Sequence, residues 1–140
     1  MADIVYNNFK KNIMNGNIDL DTDDIKVALV TSSYTPNQDT HEDFADITGE
    51  STGTGYTAGG ETIANTTVTT DTGDDEGVFN GDDVTWASST VTARGAVIYK
   101  DSGTPATSWL IGYLDFTTDQ SSSSGDFTIQ WSAEGILNLN

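Results

Sequence analysis

Few side chains in this 140-residue chain have the chemistry to act on another molecule. Cysteine is absent and histidine occurs once, at His41, which excludes thiol nucleophiles, disulfides, thiolate metal sites and paired imidazoles together. His41 stands in Thr40-His41-Glu42-Asp43-Phe44 with acids beside it, and reads as a loop residue that satisfies local hydrogen bonds. Gly49-Glu50-Ser51-Thr52-Gly53 spells the G-x-S-x-G string of hydrolases, but that motif works only on a strained strand-to-helix turn. The following Thr54-Gly55-Tyr56-Thr57-Ala58-Gly59-Gly60 cannot nucleate the helix, so Ser51 is expected in a loop and not as a nucleophile.

The carboxylates are more numerous. Asp19-x-Asp21-x-Asp23-Asp24 opens like a calcium loop, yet Asp24 stands where the loop requires glycine and Val30 where it requires a bidentate glutamate. It reads as an acidic turn before a strand. Asp71, Asp74, Asp75 and Glu76, with Asp82 and Asp83 beyond, form a second acidic group, expected as a solvated loop that repulsion keeps open. Acids paired across a sugar could make a glycosidase. Here they sit in turns, whereas Trp86, Trp109 and Trp131 sit in strand patterns, where burial or subunit contact comes first. No catalytic residue, no cofactor and no metal-ligand set is therefore expected. Arg94, inside a strand pattern, favours a bidentate carboxylate partner, either within the chain or across a subunit boundary.

The elements that position these residues are mostly strands. Asp3 as N-cap, Val5, Phe9 and Ile13 at four-residue spacing and Gly16 as C′ predict one helix over residues 4–15, with Lys10 and Lys11 near its negative end. Beyond it, β-branched and aromatic residues alternate with Ser, Thr, Asp and Gly. Strands are predicted at Asp24–Thr31, Asp83–Ala87, Thr92–Lys100, Trp109–Phe116 and Asp126–Trp131, with weaker ones at Glu61–Thr70, Gly77–Asn80 and Gly135–Asn138. In the first, Ile25, Val27 and Leu29 oppose Ala28 and Val30, so both faces should be covered. In Trp109–Phe116, alternation puts Trp109, Ile111 and Tyr113 on one face and Leu110, Leu114 and Phe116 on the other. The fold class is mainly β: a single domain over 1–140, an antiparallel β-sandwich or flattened barrel of seven to eight short strands with one N-terminal helix. Residues 32–60 fit no element and read as a long loop, either functional or ordered against a partner.

Twenty-two acids against five Lys and Arg give a formal charge of −17, which repels phosphate backbones and anionic membrane surfaces and argues against a nucleic-acid partner. No apolar run is long enough to span a bilayer, and Met1-Ala2-Asp3 begins no secretory leader, so synthesis in the cytoplasm and no membrane partner are expected.

Several segments are distinctive together in their order and spacing. The segments are Asp24-Ile25-Lys26-Val27-Ala28-Leu29-Val30, Tyr34-Thr35-Pro36-Asn37 with Thr40-His41-Glu42, Gly55-Tyr56-Thr57-Ala58-Gly59-Gly60 and Asp82-Asp83-Val84-Thr85-Trp86. Further on come Ala93-Arg94-Gly95-Ala96-Val97-Ile98-Tyr99-Lys100-Asp101, Leu110-Ile111-Gly112-Tyr113-Leu114-Asp115-Phe116, and Gly125-Asp126-Phe127-Thr128-Ile129-Gln130-Trp131 with Gly135-Ile136-Leu137. Together these segments resemble a family of small virion-associated structural proteins of tailed bacteriophages and prophages; the resemblance covers nearly the whole chain and implies a non-enzymatic virion protein, made in the bacterial cytoplasm. It points first to a capsid decoration or cement protein that binds the major capsid protein, with a tail, neck or fibre component as the alternative. A calcium- or carbohydrate-binding lectin-like module is the rival from another class. Apolar residues on both strand faces further predict a homo-oligomer. The interface candidates are Tyr6, Phe9 and Ile13 on the helix, Arg94, and Trp109, Ile111 and Tyr113 on the strand.

Overall fold

A computed structural model describes residues 3–140; Met1-Ala2, read above for a leader, lie outside them. The chain is mainly β, with ten strands and one α-helix among the described residues. Every strand pairing is antiparallel. β1 (Ile4–Val5), β2 (Ile25–Val30), β3 (Glu61–Thr62), β7 (Thr92–Lys100) and β8 (Leu110–Ser121) form one sheet in the order β1-β8-β7-β2-β3. β4 (Thr67–Asp71), β5 (Glu76–Asn80) and β10 (Leu137–Leu139) form a second, ordered β10-β5-β4, and β6 (Val84–Ser89) pairs with β9 (Gly125–Ile129) in a third.

The large sheet packs one face against the two small ones, giving the sandwich-like arrangement expected. Ile25, Val27, Leu29, Ala96, Ile98 and Ile111 meet Phe79 from β5, Val84 and Trp86 from β6, and Phe127 and Ile129 from β9. Each such aliphatic or phenyl side chain withdrawn from water contributes about 1.5–3 kcal/mol. The opposite face carries Ala28, Val30, Val97, Tyr99, Leu110 and Tyr113, a second core. Its cover is the 32–60 segment of the same chain. Tyr34 is buried in it, the Phe44 ring stacks on Tyr99 at 4.4 Å between centroids, and Ile47 packs alongside. The long segment is thus ordered against its own sheet, without a partner.

Three sequence expectations shift. The helix α1 spans Asn7–Met14, because β-branched Ile4 and Val5 are recruited as β1 opposite Tyr113 and Gly112 of β8. Asp3 consequently does not cap it: Tyr6 is the N-cap, with no side-chain bond, and Asp3 Oδ1 accepts the Asp115 N–H at 2.7 Å. At the other end Gly16 takes φ +74° and returns its N–H to the Ile13 carbonyl, as predicted. The Glu61–Thr70 pattern divides at Asn65 (φ +53°) into β3 and β4, which join different sheets. In β8, Ile111 and Gly112 together oppose Ile98, so a bulge reverses the alternation. Ile111 therefore faces the sandwich core while Tyr113 faces the second core, contrary to the single face assigned to them. A second irregularity lies farther along β8: Asp115 pairs with Gly95 and Gln120 with Ala93, so four residues, with Thr117 at φ +65°, bulge out opposite Arg94.

Candidate interaction groove

The residues with chemical potential are engaged in holding the fold. Ser51 is 2% exposed; its N–H bonds the Leu29 carbonyl and its hydroxyl donates to the Thr92 carbonyl at 2.8 Å. Both bonds bind the long segment to the strands, and Ser51 faces no base. His41 stacks on Tyr34, with 5.5 Å between ring centroids. The Asn37 N–H donates to His41 Nδ1, which fixes that nitrogen as an acceptor. The Tyr34 hydroxyl, 2.8 Å from the same nitrogen, must then donate to it and receive the Tyr6 hydroxyl at 2.7 Å. The relay runs Tyr6 to Tyr34 to His41 and anchors the segment over the second core. Burial pushes the Tyr34 phenol up to about 12 and the Tyr6 phenol well above the ordinary range, the bond to Tyr34 adding to the latter. Tyr56 does similar work: its hydroxyl donates to Glu50 Oε2 and accepts the Leu29 N–H, and burial raises its pKa strongly.

Arg94 pairs within the chain, Nη2 to Asp115 Oδ1 at 3.4 Å, the intramolecular of the two pairings considered. The Asp115 carboxyl is held below the usual range first by the Thr117 N–H, with the guanidinium assisting. Lys100 bonds Asp23 at 3.1 Å and Lys26 bonds Asp101 at 2.8 Å. In the first acidic turn Asp23 accepts the Asp19 N–H and Asp24 accepts the Thr62 hydroxyl. The neighbouring Asp21 carboxyl helps hold Asp19 below the usual carboxylate range, and Asp19 in turn raises Asp21. The second acidic group forms the β4–β5 hairpin turn, where one carboxylate oxygen each from Asp71, Asp74 and Glu76 lie within 4.8 Å of one another. Asp71 Oδ1 accepts the Gly73 and Asp74 N–H groups there, and Glu76 accepts the Asn138 amide.

The interface candidates are mostly inside. Tyr6, Phe9, Ile111 and Tyr113 are at most 4% exposed, with Phe9 and Ile111 in the sandwich core and Tyr6 and Tyr113 in the second. The folded chain offers none of the four to a partner, because their apolar groups already have one. Ile13 and Trp109 pack half-buried against the sandwich core. Of the other tryptophans, Trp86 is buried between Tyr56 and Phe127, and Trp131 lies past the end of β9 and donates its indole N–H to the Asp82 carbonyl.

The feature that sequence reasoning missed is a groove of about 530 Å³ along the open side of the sandwich. Its walls are β8 from Leu114 to Ser121 and β9 from Asp126 onward, and Trp131 to Ile136 close one end. Leu114, Phe116, Phe127, Ile129, Trp131 and Ile136 line its apolar parts. Among the described residues Asp3, Asp115 and Asp126 supply its charges, and Asp115 is paired with Arg94. A smaller apolar pocket of about 150 Å³ between β1, β8 and Leu137 shares Asp3, Leu114 and Ile136 with it. β9 pairs only with β6, so among the described residues its other edge borders the groove without a strand partner, while past Tyr113 the Asp115 N–H of β8 is taken by Asp3. The one signal in the sequence is the strict alternation of Phe127, Ile129 and Trp131 with Thr128 and Gln130, which marks a sheet with one wet face but not what lies across from it.

Comparison with known protein families, curated proteins and solved structures finds no match to the chain. Among the described residues no helix is long and apolar enough to cross a membrane.

Proposed function

We propose that this chain is a non-enzymatic structural protein of a tailed-phage particle, a capsid decoration or cement protein that binds the major capsid protein beside copies of itself. The observation that carries the reading is the open groove bordered by the edge of β9, which has no strand partner among the described residues, a surface suited to joining another chain. The engagement of Ser51, His41 and Arg94 in holding the fold supports it, as does the ordered resemblance of segments across the sequence.

Labelling particles from a producing host with an antibody to this chain tests the reading. Label distributed over the capsid surface is the expected result. Label confined to tail, neck or fibres would move the protein to that position, and particles without label would overturn the proposal. Light scattering on the purified chain checks the expected homo-oligomer.

A further inference from the structure

The groove's chemistry defines the occupant it would accept. Its floor is apolar, at Leu114, Phe116, Phe127 and Ile129, the edge of β9 without a strand partner among the described residues borders it, and its described charged residues are acidic, with Asp115 paired to Arg94 and Asp3 and Asp126 at the rim. Of the cations elsewhere in the chain, Lys26, Arg94 and Lys100 are committed to carboxylates. A second copy of this chain would bring another formal charge of −17 to an already negative lip, so like-charge repulsion opposes self-insertion. An extended segment with apolar side chains on one face and Lys or Arg on the other matches all three features. Its backbone would complete the ladder on β9, alternate side chains would fill the floor, and its cations would meet Asp126 and Asp3 at the rim.

We infer that the groove between β8 and β9 captures an extended, basic, amphipathic segment of a partner protein by strand addition. The inference rests on the virion reading only for who supplies the segment; the groove chemistry stands apart from it.

The probe is a short peptide of alternating valine and lysine, titrated into the intact chain and followed by calorimetry and Trp131 fluorescence. Binding is expected, weakening about tenfold or more as salt rises to about 0.5 M, where screening reaches within a few ångströms. The same peptide with glutamate for lysine, or with alternate backbone amides methylated, should not bind, since one reverses the charge and the other removes the ladder donors. Asp126→Lys should weaken capture about tenfold, whereas Asp74→Lys, the same charge change on the distant β4–β5 turn, should leave it unchanged. Equal binding of the methylated or glutamate peptide, or equal loss in Asp74→Lys, would overturn strand addition in favour of charge adsorption or non-specific contact. Full particle association by Asp126→Lys would likewise overturn the groove as the contact while leaving the virion reading intact. Peptide capture by a chain that labels no particle would support the groove and remove the virion reading.

Discussion

Raising the pH gives the sharpest test of how the two cores are built. All five tyrosines of the chain have raised pKa values, with burial the first cause in each. A phenol whose native pKa exceeds its unfolded value near 10 keeps its proton longer in the native state. Stability is therefore fully present below about pH 10 and falls as pH rises toward the native value. For Tyr6, Tyr34, Tyr56 and Tyr99 the native value is about 12 or higher. One pH unit above 10, each costs about 1.4 kcal/mol, so the four remove roughly 6 kcal/mol at pH 11 and about twice that approaching pH 12. Against native stabilities of about 5–15 kcal/mol such a loss takes most or all of a typical total, and cooperative unfolding is expected between about pH 11 and 12. Tyrosinate absorbance and far-ultraviolet circular dichroism, recorded on the same samples, should change together in one steep step. Gradual tyrosine ionisation centred near pH 10 with the dichroism intact would refute the burial of the phenols, and with it the argument that Tyr6 and Tyr113 are unavailable as docking residues.

Other perturbations separate core from surface. Phe9→Ala should destabilise by about 3–5 kcal/mol and lower the thermal midpoint by about 10 °C or more, because Phe9 fills the sandwich core; an unchanged midpoint with lost particle association would restore Phe9 as a docking residue. Gly60→Ala should cost on the order of 3 kcal/mol, since its Cβ would fall 1.9 Å from the Val27 carbonyl oxygen at φ +78°, and denaturant titration would register it. Ser51→Ala should lose about 1 kcal/mol with its bond to Thr92, and neither wild type nor variant should hydrolyse an activated ester above background. Lys26 holds Asp101 below the ordinary carboxylate range, so that stabilisation is present above about pH 4 and lost as pH falls through the lowered value. Lys26→Met should therefore flatten the acid limb of the stability profile.

The long, strongly patterned strands were legible because neighbouring residues carry the information. β7 falls on its predicted bounds, and the opposed apolar sets of β2 do cover two faces. Gly16 was legible for the same reason: a positive φ at a helix end is a local demand. The site residues were less so. Burial of Phe9, Tyr6 and Tyr113 is a question of what lies on top of them, and the cover of the second core comes from Tyr34, Phe44 and Ile47, in a segment with no periodicity to read.

Composition and alternation, properties of the chain alone, specify a mainly β chain with one short helix, an excess of acid and no thiol chemistry. Which face each residue of β8 presents is settled in three dimensions, because an extra residue opposite Ile98 reverses the phase and no local pattern records it. Tertiary pairing also makes the 32–60 segment cover its own sheet and leaves one edge of β9 beside the groove without a strand partner among the described residues. Each of these depends on pairings between residues remote in sequence, and a strand's own residues specify its alternation but not its neighbour.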